Sequence, residues 1–442
     1  MKLVLAGLAA ITVALSTTTV FSQDLRILSA VTGGKDAAEH ELFVKELEQH
    51  LGIDIEMVKP EADYNNVLFT SLASGEQYDL VYGDSGMLAN FIDQGAIMDL
   101  TDRIAASPVL SDTATIPAAE WALFDVDGRK WAVPNKFEGG TLPTVRADWL
   151  EEFGMADPVT LADWEAYWRK AKEAKGAYGI STAGLYDIQG FMSANGVKYG
   201  YVMVDGKRTV PYATPAAAEI YDWFGKMSKE GLVDPAFPTN GSGDFRSQFM
   251  TDRVATVTYW DAWVGLFNNI MATDHPESSF EAKGVNGVPG PDGKIMLRRG
   301  AASLWFVPAN AQHVDNAIKF LEFWHSEPGY IMGTLGIKDV DYTVTADGKY
   351  ELTEQGKAHG MDHGAPRVAS TKWQNPFPAL PGVKEAQDIV LSNSSIEYMP
   401  TGWSDAQTIV QKYAYPAMLG EITGAEAVAK MDEELRAAGL ID

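Results

Sequence analysis

Between Asp24 and Tyr82 the apolar period switches from two residues to about 3.6 and back, twice. Asp24 to Val31 alternates like a half-buried strand and stops at Gly33-Gly34. From Ala37 to Leu51, residues Phe43, Val44, Leu47 and Leu51 recur at helical spacing, and Gly52 follows as a C-cap. Ile53, Ile55 and Met57 alternate again, Val67, Leu68 and Leu72 mark a second helix, and Tyr78 to Tyr82 forms a short buried strand. Strands separated by helices cannot pair as hairpins. Each must cross over and return parallel to the last, which predicts an α/β lobe with a parallel sheet.

One such lobe accounts for only part of 442 residues, and at roughly 100–200 residues per domain the chain holds two or three units with full-sized cores. Its 60 acidic and 35 basic side chains give a formal charge of −25, which repels phosphate backbones and excludes the basic footprint of a nucleic-acid binder. The absence of cysteine removes disulfides, zinc thiolates, iron–sulfur clusters and cysteine nucleophiles. Lys2, the apolar run Leu3 to Leu15 and the small residue Ser22 have the form of a secretory leader over residues 1–22, shorter than the ~20 apolar residues of a membrane span. The expectation is a periplasmic protein, released by cleavage after Ser22 or Gln23. With no cysteine to acylate, it is expected not to be a lipoprotein.

Further along, Asp127-Gly128 signals a hairpin. Thr160 with Asp163 caps a helix carrying Trp164 and Trp168 that closes at Gly176, and Thr214-Pro215 opens one that carries Trp223. Val254 to Tyr259 and Ser303 to Val307 are strand-like, Gly284 to Gly293 is a loop, and Val314 to Trp324 is an amphipathic helix. Two capped helices close the chain, the last opened by Thr423 with Glu426 and stopped by Gly439.

In this order the segments resemble the extracellular solute-binding proteins of ABC importers (family 1), in the oligosaccharide-binding branch that includes the alginate-oligosaccharide-binding proteins. The resemblance rests on four stretches: Tyr78-Asp79-Leu80-Val81 leading to Phe91 through Ala96 and Asp99-Leu100-Thr101; Asp127 through Pro134 followed by Val145 through Leu150; Trp223 through Asp234; and Leu335-Gly336-Ile337 with Asp341-Tyr342-Thr343 and Asp347-Gly348-Lys349. It implies the two-lobe periplasmic binding protein fold, type II-like, with α/β lobes joined by a multi-crossing hinge that closes over ligand. The implied lobes are residues 24–134 plus 287–336 and residues 135–286 plus 337–442. The alginate-binding members carry a calcium loop after the helix matching Thr160–Glu173, but Lys172 through Gly179 offers one carboxylate there, so no calcium is expected.

A sugar presents apolar C–H faces between hydroxyls, so its site needs flat aromatic platforms beside carboxylates and amides. Trp149, Trp164, Trp168, Trp223 and Trp324 fall at helical core spacing and are expected to pack. The candidate ligand residues are Tyr259, Trp260, Asp261 and Trp263 after a strand end, Asp84 and Ser85 after another, Asn135 and Glu138 at the presumed hinge, and Trp305, Trp373 and Trp403. Core packing competes for Trp305, and helix capping for Asp261. Gly83-Asp84-Ser85-Gly86 spells the nucleophile tetrad of chymotrypsin-like proteases, but an α/β lobe is the wrong scaffold for it. His359 and His363 have metal-like spacing without the intervening Glu of a zinc protease, and Gly360 and Gly364 break a rigid helix, so both are expected as solvated loop histidines. No catalytic residue, cofactor or metal is expected.

The reading that follows is a monomeric periplasmic receptor that captures a sugar or oligosaccharide and delivers it to inner-membrane ABC permease subunits. Two alternatives remain: a secreted glycosidase using, for instance, Glu138 and Asp261, and a peptide or amino-acid receptor on the same fold.

Overall fold

The computed structural model describes residues 24–61, 64–121, 124–137, 139–184, 188–365, 374–397 and 402–442. The predicted leader lies outside them, as do Glu138 and Trp373. Two mixed sheets organise the chain. In the first, strands run in the order Ile55–Val58, Leu25–Leu28, Leu80–Asp84, Ala302–Phe306, Val133–Phe137. The first three are parallel, as the alternation with helices Ala37–Leu51 and Tyr64–Ser74 requires. Ala302–Phe306 runs antiparallel to both of its neighbours.

The second sheet runs Ser394–Ile396, Leu297–Arg299, Gly140–Arg146, Val254–Trp260, Tyr178–Ser181, with Ala282–Gly284 paired to the far end of Gly140–Arg146. Helices Leu161–Lys175, Pro215–Lys229, Trp403–Met418 and Gly424–Ala437 pack with it around a core that includes Trp164, Trp168, Tyr221 and Phe224. Their ends are set by local chemistry. Thr160 and Asp163 form a reciprocal capping box, Gly176 closes the same helix in the left-handed region, Pro215 occupies a first-turn position, and Thr423 accepts from the Glu426 amide. Only Gly176 and Ala177 separate Lys175 from the strand beginning at Tyr178, which leaves no room there for a twelve-residue calcium loop.

Among the described residues the chain passes between sheets three times: from Val133–Phe137 into Gly140–Arg146, from Leu297–Arg299 into Ala302–Phe306, and between Ala365 and the helix Val383–Asn393. Two expected lobe boundaries shift accordingly. Val288 and Leu297 belong to second-lobe cores, so the return lies near Gly300 rather than Gly287. Residues 337–365 remain with the first lobe past Gly336: Ile337 joins its core, and His363 bonds Glu39.

Each lobe holds a buried carboxylate that accepts several hydrogen bonds. Asp79 accepts from the amides of Arg26, Gln312 and His313 at 2.9 Å each, and Asp234 accepts from Ser181 Oγ at 2.7 Å, Asn240 Nδ2 at 2.9 Å and Gln248 Nε2 at 3.1 Å. Burial alone would raise both acids, but the donated hydrogen bonds outweigh it and both lie below the usual carboxylate range. A carboxyl whose folded pKa is depressed stabilises the fold above its unfolded value of about 3.9, and that contribution fades as pH falls through the folded pKa. The contribution of these two carboxylates to the thermal midpoint should therefore be constant above about pH 5 and fall below about pH 4. Asp79→Asn should have a lower midpoint at neutral pH and a shallower acid slope, and an unchanged slope would remove Asp79 from this role.

Candidate functional site

A cavity of about 520 Å³ lies between the lobes. The first lobe contributes Ala30, Tyr64, Tyr82, Asp84 and Ser303, and the second contributes Tyr199, Trp260, Arg298, Trp403 and Gln407, with Gly300 and Ala301 at the crossing between them. Ala30 follows the C-terminal end of Leu25–Leu28, and Tyr82, Asp84 and Trp260 stand at or near the C-terminal ends of their own strands, which is where open α/β sheets place ligands. A second cavity of about 810 Å³ is lined only by second-lobe segments, from Asp157–Val159, Phe280–Pro289 and Pro381–Ile389 among others. It does not face the first lobe.

On the first-lobe wall, Tyr64 Oη donates toward the carbonyls of Tyr82 at 2.6 Å and Leu28 at 3.1 Å, and burial pushes its phenol well up. This fixes the ring at the mouth of two strands. Asp84 Oδ1 accepts the Gly86 amide at 2.7 Å, which turns the chain out of the sheet. On the opposite wall Arg298 forms a two-pronged pair with Glu397, with Nη2–Oε2 at 2.6 Å, and its guanidinium lies 4.1 Å from the Tyr199 ring centroid. Burial pushes the Glu397 carboxyl up, and Arg298 opposes it. Trp403 stands T-shaped to Tyr199 and Tyr201, with ring centroids 5.1 and 5.3 Å apart, and is 8% exposed.

Of the candidates named from sequence, Asp84, Trp260 and Trp403 converge on this cavity. The others are placed elsewhere. Ser85 ties strand to strand, its amide donating to the Ala302 carbonyl at 2.9 Å and its hydroxyl accepting the Ala302 amide at 3.1 Å. Tyr259 and Trp263 join Phe245 and Phe267 around Arg246, whose guanidinium lies 3.9 Å from the Trp263 centroid. Tyr259 and Trp260 are successive strand residues and point to opposite faces, so only one of them meets the cavity.

Three candidates become structural. Trp305 has none of its surface exposed and packs edge-on against Tyr82 at 4.9 Å. Asn135, equally buried, accepts from the indoles of Trp305 at 3.2 Å and Trp324 at 3.0 Å and donates to the Gly364 carbonyl at 3.1 Å. Asp261 is a helix cap: it accepts the Ala262 amide at 2.6 Å and the Gly140 amide at 3.3 Å. Gly139 takes φ +86° beside it, where a Cβ would stand 2.5 Å from Asp261 Oδ1, so the first crossing requires glycine. His359 and His363, expected in solvent, are 12% and 0% exposed at their side chains. Gly360, at φ +73°, ends the helix Glu354–His359 and turns the chain back so that His363 is folded under α-helix Ala37–Leu51 instead of outward.

Sequence reasoning missed Tyr64, Tyr199, Arg298 and Gln407. Arg298 is one of two consecutive arginines, and its partner Glu397 is 99 residues away, so no local pattern marks it.

Among the described residues, two α/β lobes joined by three crossings, with a cavity of about 520 Å³ between them, have the two-lobed architecture of a binding protein. Residues 43–337 match the family described as bacterial extracellular solute-binding protein, and the chain belongs to that family. Among curated relatives it is 20% identical over 358 residues to Lipoprotein LipO of Bacillus subtilis, covering 75% of this chain and 70% of that one. Similar solved structures include the alginate-binding protein AlgQ2 without calcium ion, at TM-score 0.70 and 17% identity over 94% of this chain and 95% of that one. The sugar-binding protein MalE from Xanthomonas citri matches at TM-score 0.68 and 17% identity, over 93% and 95%. Maltose-bound T. maritima MalE3 matches at TM-score 0.65 and 18% identity, over 93% and 99%.

Proposed function

We propose that the protein is an exported receptor that captures a neutral sugar or oligosaccharide between its lobes and passes it intact to an ABC permease. The observation that carries this is the makeup of the interlobe cavity: Trp260 and the tyrosines Tyr64, Tyr82 and Tyr199 supply ring surface, while Asp84, Asn65 and Gln407 supply donors and acceptors for hydroxyls. The Arg298 charge is matched by Glu397, which favours an uncharged guest over a polyanion, in keeping with a net charge of −25. The names of solved structures on this fold, MalE and AlgQ2 among them, point to saccharides.

Capture needs no nucleophile. Asp261, half of the glycosidase alternative, spends its oxygens on backbone amides, which supports binding without turnover. The leader over residues 1–22 would be removed on export, and a chain without cysteine has no thiol to lipidate. Fractionation and intact mass of the exported protein test both points.

Thermal shift against neutral oligosaccharides, uronic-acid oligosaccharides and peptides tests the ligand class. A sugar at 100 times its dissociation constant should add about 2.7 kcal/mol of stability, with no product released. A response to peptides alone would replace this reading with the peptide-receptor alternative.

A further inference from the structure

Away from the interlobe cavity, four metal-ligating side chains converge on the first lobe: Glu39, Asp341, His359 and His363 each offer one ligand atom, all within 4.8 Å of one another. We propose that these residues form a structural zinc site that fastens residues 337–363 to the start of the helix Ala37–Leu51.

The geometry is close to what a tetrahedral cation needs. His359 Nδ1 lies 2.9 Å from Asp341 Oδ1 and 3.2 Å from Glu39 Oε2, and His363 Nε2 lies 2.9 Å from Glu39 Oε1. With zinc–ligand bonds of about 2.0–2.1 Å the edges of a tetrahedron measure about 3.3 Å, so the four ligand atoms, which lie within 4.8 Å of one another, would draw together on the ion. Two imidazoles and two carboxylates suit zinc, whereas calcium and magnesium prefer all-oxygen shells.

Charge also calls for a cation here. The Glu39 and Asp341 side chains have no exposed surface, and two carboxylates buried together are costly without compensation. His363, with none of its side chain exposed, turns Nε2 toward Glu39 inside the cluster. A divalent ion would offset the two buried carboxylates of the cluster.

Outer partners orient the ligands. His359 turns Nε2 toward Asp36 Oδ2 at 3.3 Å, the carboxylate–histidine arrangement typical of zinc ligands, and Asp341 Oδ2 accepts the Ile337 amide at 2.7 Å. Gly336, at φ +89°, passes so close that a Cβ would stand 2.3 Å from Asp341 Oδ2 and 3.0 Å from His363 Cε1. The competing account is a metal-free cluster in which protonated His359 balances the carboxylates. Burial opposes that charge, but Asp341 and Glu39 raise His359 overall.

The experiment is calorimetric titration of the chelator-stripped full chain with zinc chloride, with cobalt(II) as a spectroscopic probe. The expected results are saturable one-to-one zinc binding, the intense visible bands of tetrahedral cobalt, and no competition by calcium. Zinc at 100 times its dissociation constant should favour the folded state about 100-fold, raising the thermal midpoint above that of stripped protein. His359→Gln and His363→Gln should each weaken zinc by more than about 100-fold, and Asp36→Asn by about 10-fold. Absence of saturable binding, a weak octahedral cobalt spectrum, or undiminished affinity in the double histidine variant would overturn the proposal. If a variant fails to fold, the wild-type titration and cobalt spectrum still decide.

Discussion

Glu397→Ala should destabilise the second lobe by about 3–5 kcal/mol, read as a lower urea midpoint for the unfolding of that lobe. The Arg298 and Glu397 side chains are 5% and 2% exposed. Removing the carboxylate leaves Arg298 buried without its two-pronged acceptor and takes from Lys198 a charge that offsets the burial lowering its pKa. The strand pairing of Leu297–Arg299 with Ser394–Ile396 sits beside this contact and loosens with it. Glu397→Gln keeps the shape and one acceptor, so its loss should be about half as large. Equal stability of Glu397→Ala and wild type would mean that water in the cavity already solvates Arg298.

The second large effect falls on binding. Trp260→Ala should weaken the dissociation constant of a responding saccharide by about 100-fold, or about 2.7 kcal/mol, since buried aromatic platforms dominate such sites. Trp260 is partly exposed at a strand end, so its loss should cost little folding stability. Trp263→Ala is the matched control. Its ring packs on Arg246, Tyr259 and Phe267, away from the cavity, so it should lower the thermal midpoint and leave affinity unchanged. Reversed outcomes would exchange the roles of the two indoles.

What could be read from sequence was local. The period switches placed the parallel strands of the first lobe, and Thr160 with Asp163, Gly52 and Gly176 set helix ends that the structure shares. Asp127 and Gly128, both at positive φ, make the hairpin turn their pairing predicts. What could not be read was pairing between distant segments. Ala302–Phe306 inserts antiparallel between strands that precede it by well over a hundred residues, and nothing in its own sequence indicates a partner or direction. The same gap explains the site. Trp260 and Trp305 both lie on strands, and which face each presents is set by register against neighbours, not by composition. His363 looked solvated because two glycines surround it, yet those glycines make the turn that buries it against Glu39.

The account stands on where the guest sits. A crystal structure of the complex with the oligosaccharide giving the largest thermal shift measures this directly. Sugar density between Asp84 and Trp260, touching both lobes, is the predicted result. Density confined to the second-lobe cavity between Asp157 and Ile389, with the interlobe space filled only by solvent, would contradict it.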